Sequence, residues 1–298
     1  MDIALLKTFL AVSDTGSFIA ASERLHVTQS AVSLRVQRLE DMLGHELFIR
    51  SRTGTEPTAS GKEFTAYALS LLRTWEQARQ QIAVPEGYSR SLLMGGQFSL
   101  WPSLGFRWLD RMIGALPDLA IRAELGMPES LAQSMADGVM QVCLTYAPVM
   151  RPGLSVEKVM EDELVLVAPW KGATTNEVRG RYAFIDWGPE FLSFHNARLP
   201  DLANAGLTLA MGAASAPFLL ARNLAAYLPA RVAGPLLATG QLHLVEKAPA
   251  YTHVAWSVWR DDLDEDLAEV ARKTLSDVAR QAAKDTSAVA ETVGMKRH

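Results

Sequence analysis

The chain has 298 residues, 49 % of them apolar and 21 % charged, with a formal net charge of −4. That is ordinary globular composition, long enough for two or three domains and too apolar for a disordered chain. A single cysteine, Cys143, rules out an intramolecular disulfide framework, and no apolar run reaches the ~18 residues of a membrane span. The opening segment MDIALLKTFLAV carries neither a basic leader nor a small-residue cleavage site, so no signal peptide is expected and the protein is placed in the cytoplasm. The acidic balance does not advertise nucleic-acid binding, but the local distribution does: Arg24, Arg35, Arg38, Arg50 and Arg52 fall close together, against only Glu40, Asp41 and Glu46.

Residues 3–12 place Ile3, Leu6, Phe9 and Leu10 at helical spacing. Gly16-Ser17 breaks that pattern, and Ser17 is a good cap for a second helix reaching about Leu25, with Phe18, Ala21 and Leu25 inward. After His26-Val27, Thr28 caps a third helix whose inner face is Val32, Val36, Leu39 and Leu43, ended by Gly44 in a left-handed conformation. With those residues inside, Gln29, Ser30, Ser33, Arg35 and Gln37 are left facing outward. Two short helices joined by a tight turn, the second polar and basic near its start, are what a helix-turn-helix needs to reach base edges in the major groove. An αα-hairpin with a polar outer face meets the same spacing. The next segment favours DNA: Leu47-Phe48-Ile49-Arg50-Ser51-Arg52 is β-like and runs into Thr53-Gly54 and Glu56-Pro57-Thr58, a hairpin whose arginines suit phosphate.

The series Ser17-Phe18…Ala20-Ala21…Leu25-His26-Val27-Thr28-Gln29-Ser30-Ala31-Val32-Ser33…Leu39-Glu40…Gly44…Leu47-Phe48…Arg50…Thr58…Gly61 resembles the winged helix-turn-helix of LysR-type transcriptional regulators over residues 1 to about 61. Two positions depart from it: many family members carry Pro where Ser30 stands and Arg where Leu34 stands. Here the arginine is Arg35, about 100° further round the helix. The residues expected at DNA are Ser17, Thr28, Gln29, Ser30, Ser33, Arg35, Gln37 and Arg38 from the helices, with Arg50 and Arg52 from the wing.

Residues 59–83 form a stripe of Phe64, Ala68, Leu71, Leu72, Trp75, Ala78 and Ile82 at steps of three and four, a seam suited to pairing two chains or to packing on its own. The resemblance implies a dimerising linker helix. Pro85-Glu86-Gly87 closes it. From residue 90 strands alternate with helices: strands at 91–94, 119–125, 139–146, 164–168, 182–186, 207–210 and 251–259, helices at 101–116, 129–137, 216–224 and 264–283. This order predicts α/β architecture with a mostly parallel sheet. Three domains are expected, a head at 1–58, a linker at 59–88 and an effector domain at 89–298. The resemblance implies a fold like that of periplasmic binding proteins for the last, with one lobe at about 90–162 and 267–283 and another at 163–266.

A ligand is then expected between the lobes. The first lobe offers Gln97, Phe98 and Ser99 at a helix start, where backbone N–H groups favour a carboxylate, together with Thr145 and Tyr146 at a strand end. The second offers Trp187, Phe191 and His195 from what reads as an aromatic strand-end loop, although Trp187 and Phe191 suit packing within the lobe equally well and a lone histidine also suits the core or the surface. The expected effector is a small organic acid with an apolar body.

An enzyme is not expected. Asp186, Glu190 and His195 lie close in sequence but have no second cluster, the other histidines lack metal-ligand spacing, and no nucleophile elbow, phosphate loop or dinucleotide fingerprint is present. No cofactor or resident metal is expected. The partners implied are operator DNA, a small-molecule effector, one or three further copies of the chain, and RNA polymerase, with no membrane. Two alternatives stay open: a small-molecule binding protein without a DNA role, and a LysR-type regulator that works without an effector.

Overall fold

The computed structural model describes residues 2–51, 54–82 and 84–292. Chain contacts divide it into two compact units, Met1–Ser91 with Ala136–Val139 and Leu92–Met135 with Met140–His298.

The first unit begins with three helices, α1 (Ile3–Thr15), α2 (Phe18–Leu25) and α3 (Gln29–Leu43). Each is capped by a short polar side chain: Asp2 accepts from the Ala4 N–H, Ser17 from Ala20 and Thr28 from Ala31. His26 (φ +53°) turns α2 into the link to α3, and Gly44 (φ +70°) ends α3. Val32, Val36 and Leu39 are buried as the spacing requires, but Leu43 at the frayed end of α3 is exposed. A hairpin follows, β1 (Phe48–Ser51) and β2 (Gly54–Pro57), with Phe48 opposite Pro57. The Glu40 carboxylate accepts from the Leu47 and Phe48 N–H groups, and Thr55 donates its N–H to Gly16, so the hairpin is tied at both ends to the helices.

Helix α4 (Ala59–Ile82) starts hard against this hairpin. A Cβ on Gly61 would strike the Leu47 carbonyl, so only glycine allows the approach. The apolar stripe foreseen along this helix is really two. Phe64, Ala68 and Leu72 pack into the core around Phe9, Val12 and Phe48, and below them Glu76 is buried between Arg79 (3.0 Å) and Lys7 (3.8 Å). Tyr67, Leu71, Trp75, Ala78 and Ile82 lie on the other side and are exposed, Trp75 by 47 % and Ile82 by 87 %.

In the second unit, β3 (Arg90–Gly96) leads into tight turns and α5 (Phe106–Ala115), then β4 (Leu119–Leu125), α6 (Pro128–Ala136) and β5 (Val142–Thr145). The long strand β6 (Leu154–Ala168) leaves this region for a second one. There lie β7 (Phe184–Ile185), α7 (Pro189–Arg198), β8 (Thr208–Leu209), α8 (Ala216–Arg222), β9 (Ala226–Pro229), α9 (Ala230–Ala238) and β10 (His243–Leu244). Strand β11 (Tyr251–Arg260) returns along β6, and α10 (Glu265–Thr292) closes the chain over the first region.

Two large hydrophobic cores result, one around Trp108, Trp259 and Leu275, the other around Phe184, Phe191 and Tyr227, with a smaller cluster around Leu131, Cys143 and Val258. The sheet is mixed rather than mostly parallel. β3–β5 and β7–β8 pair in parallel, but the seven-stranded sheet runs β10-β6-β11-β5-β3-β4 with β9 joining β6 off that path, and β6 is antiparallel to β11, β9 and β10. The cause is the pair of crossing strands. β6 begins ten residues before its apolar end, through Glu157, Lys158 and Glu161, because β11 supplies its ladder from a distance.

Candidate functional site

Two polar constellations stand out, one on α3 and one between the two cores of the second unit. On α3 the inner arc of Val32, Val36 and Leu39 fixes what faces out. Gln29, Ser30, Gln37 and Arg38 are exposed, and Ser33 is half-buried at the edge. Ser17 and Thr28 spend their hydroxyls on caps, at 3.3 and 3.2 Å, and Thr28 also shares a hydrogen bond with Ser30 (3.0 Å). Arg35, foreseen on the outer face, is half-buried on the flank instead, and its Nη1 reaches Thr8 Oγ1 at 3.5 Å. Leu34, one residue back, is exposed on the outer face instead. Arg50 is exposed on the hairpin, its guanidinium 4.0 Å above the Phe18 ring, which holds the charge at the surface beside α2. Arg52 lies outside the described residues.

Between the two cores, three expectations need correcting. The helix foreseen from residue 101 begins only at Phe106, because Pro102 is extended (ψ 135°) and Ser103 is left-handed (φ +66°). Ser99 therefore sits inside a single 3-10 turn (Phe98–Leu100) rather than at the start of α5, and its hydroxyl caps neither. The residue is buried, and its Oγ accepts instead from the Ala213 N–H across the gap (2.9 Å). Gly212, at φ +52°, must be glycine here, since a Cβ would collide with that hydroxyl.

The segment after Trp187 is the other correction. It is the helix α7, started by Pro189, and its turn places Phe191 and His195 four residues apart on the inward side. Both are completely buried, and His195 Nε2 is 2.9 Å from the Tyr182 hydroxyl. They belong to the core, packed against Tyr227 and each other. Trp187, Tyr146 and His253 do meet between the cores: Tyr146 lies edge-on to Trp187 at 6.5 Å and against His253 at 4.1 Å, and Trp187 donates to the Tyr227 carbonyl. Phe98 is exposed nearby in sequence, and Gln97 Oε1 accepts from Thr145 Oγ1 (3.0 Å) and the Tyr146 N–H (2.6 Å). Burial pushes the His253 imidazole down to about 4, so it is neutral at physiological pH.

The residue that sequence reasoning missed is Arg231. At the start of α9, with a fully buried side chain, it donates from Nε to Asp162 Oδ2 (2.8 Å), from Nη1 to the Pro102 carbonyl (2.5 Å), and from Nη2 to the Ser99 carbonyl and the Tyr146 hydroxyl (2.9 Å). Tyr146 in turn donates to Asp162 Oδ2 (2.8 Å), while Asp162 Oδ1 is buried without a partner. One guanidinium thus ties the second core to the turn at 99–102 of the first. No local motif announces it; the only signal was an arginine inside the apolar run Ala230-Arg231-Val232.

Chemistry beyond binding finds little support. Burial pushes the Cys143 thiol up to about 12, which keeps it protonated and inert. Among the described residues no group of three or more His, Cys, Asp or Glu is placed to hold a metal ion, and no helix is long and apolar enough to cross a membrane.

Comparison with known proteins agrees over both units. Residues 3–62 match the family described as "Bacterial regulatory helix-turn-helix protein, lysR family", and residues 86–280 match the "LysR substrate binding domain". The chain is 28 % identical over 267 residues to the HTH-type transcriptional regulator HdfR of Salmonella newport, covering 89 % of this chain and 94 % of that protein. Among solved structures it shares its fold with a full-length OxyR variant from Pseudomonas aeruginosa (TM-score 0.56, 18 % identity, 96 % of this chain and 97 % of that one). It is also similar to ArgP from Mycobacterium tuberculosis (TM-score 0.54, 20 % identity, 94 % and 97 % covered).

Proposed function

This chain belongs to the LysR family of bacterial transcriptional regulators, and on that premise we propose that α3 reads operator DNA for a dimer held by α4, under control of a small molecule bound between the two lobes. The family places DNA binding in the first unit and effector binding in the second. The observation that carries the finer reading is the division of faces: α3 keeps Gln29, Ser30, Gln37 and Arg38 clear of its own core, where base edges and phosphates can meet them. The working division is a head at 1–58, a linker at 59–88 and an effector domain of two lobes, 90–162 with 267–283 and 163–266. The protein acts in the cytoplasm, as a dimer or tetramer that contacts RNA polymerase.

The exposed row of Tyr67, Leu71, Trp75, Ala78 and Ile82 supports α4 as the dimer seam, since the other stripe is already used inside the head. Trp75→Asp should then yield monomers in sedimentation velocity and at least a tenfold weaker gel shift, with unchanged melting of the monomer. An intact dimer would move the interface elsewhere.

The effector we infer is a small organic acid with an apolar body. Arg231 takes over the anchoring role first expected at Ser99: opening the lobes frees the guanidinium donors now held by Ser99 and Pro102 for a carboxylate. Trp187, Tyr146 and His253 supply the apolar wall. The closed bonding of Arg231 also favours a second reading, regulation without an effector. A thermal-shift screen of organic acids separates the two, because a ligand at 100 times its Kd raises stability by about 2.7 kcal/mol. Hits that vanish in Arg231→Lys support the anchor; a screen without hits supports the second reading.

A further inference from the structure

We propose that Leu34 is a specificity-determining residue that reads the 5-methyl group of a thymine in each operator half-site. The inference rests on α3 being the helix that enters the major groove. At 100° per residue, Leu34 lies about 170° from the middle of the buried arc of Val32, Val36 and Leu39, so within the first half of α3 it points most directly away from the core. Ser30 lies about 40° to one side of it and Arg38 about 40° to the other, with Gln37 about 60° away.

The apolar side chain at that position is 66 % exposed in the free protein, so most of its surface is left unburied by the fold. Other exposed apolar residues of the head, Ile19, Met42, Leu43 and Ile49, lie outside the first half of α3, where a recognition helix makes its base contacts. Leu34 alone is both apolar and at the centre of the polar row. Its neighbours offer hydrogen bonds to base edges; Leu34 offers none. In the major groove the one apolar feature distinguishing a base pair is the thymine methyl, so an apolar contact there is the discrimination a leucine can make. Arg35 does not compete for the position, because its guanidinium is drawn aside to Thr8.

The test uses the full-length protein. A selection from random duplexes defines the operator, and each thymine is then replaced singly by deoxyuridine, which removes the methyl and keeps the hydrogen-bonding edge. Wild type should lose affinity about fourfold at one thymine of each half-site, the value of one buried methyl group. Leu34→Ala should bind the thymine operator several-fold more weakly and show no difference between thymine and deoxyuridine at that position. Because Leu34 is exposed, the variant should melt with the wild type. Equal binding of every deoxyuridine duplex by wild type would overturn the role of Leu34 and leave DNA recognition standing. So would a fourfold loss that persists in Leu34→Ala. Failure to enrich any sequence would overturn sequence reading by α3 itself, and Leu34 with it.

Discussion

The polar side chains of α3 and those between the two lobes differ in where their partners lie. At the start of α3 the hydrogen bonds are made within two or three residues, Thr28 to Ala31 and to Ser30, the distant bonds of Arg35 and Glu40 lie on its inner flanks, and the outer row is left free for something else. Between the lobes the partners are 69, 85, 129 and 132 residues from Arg231, and most of its donors are already used inside the protein. A surface built from local bonds keeps its shape when bound or unbound. A seam built from distant bonds has to break some of them before anything enters. On the function proposed above, the recognition surface is preformed, and the proposed effector site beside Arg231 is one that must be opened.

Substitutions on the two sides should separate these behaviours. The largest effect is expected from Arg231→Ala, which leaves the Asp162 carboxylate buried without its cation and should cost about 3–5 kcal/mol in denaturant unfolding of the effector domain. Adding Asp162→Leu should restore most of that loss, whereas a small loss in the single variant would mean that the lobes already part readily. Next is acid. His253 has its folded pKa near 4 against an ordinary 6.5, so its neutral form is favoured by the fold. That stability is fully present above about pH 6.5 and is lost as pH falls toward 4, by roughly 3 kcal/mol. His253→Gln should flatten this part of the stability profile while leaving DNA binding at pH 7.5 unchanged. The smallest effect belongs to α3: Thr28→Ala removes one cap and should lower head stability by about 1 kcal/mol. The selected operator sequence should stay the same, and a changed base preference would show that Thr28 contacts DNA itself.

The same contrast explains what could be read from the sequence. The head was legible nearly residue by residue because caps, turns and inner faces obey short spacings: Ser17, Thr28, Gly44 and the valines of α3 each state their role within four residues. Leu43 and Arg35 were misplaced by no more than one side of a helix. In the effector domain the alternation of strands and helices is readable, but α7 reads as a loop, since Gly188-Pro189 suits a turn while Pro189 in fact starts a helix. That one change moved Phe191 and His195 from the cleft to the core. Arg231 was invisible for a different reason. Its meaning depends on Asp162, Ser99 and Tyr146 arriving from three other segments, and spacing along the chain carries no trace of that.

The anchoring of α4 has a mechanical consequence. With Gly61 seated against Leu47, Ala68 and Leu72 in the head core, and Glu76 clasped by Lys7 and Arg79, the first three-quarters of this helix cannot swivel on the domain it carries. Twenty-four residues at 1.5 Å each make a rigid boom of about 36 Å. A tilt of about 10° at the Ile82 end would sweep the far end through about 6 Å, close to two base-pair steps of B-form DNA at about 3.4 Å each. With α4 as the dimer seam proposed above, modest rotations there would become whole steps of register along the duplex, a gear ratio set by the length of one helix.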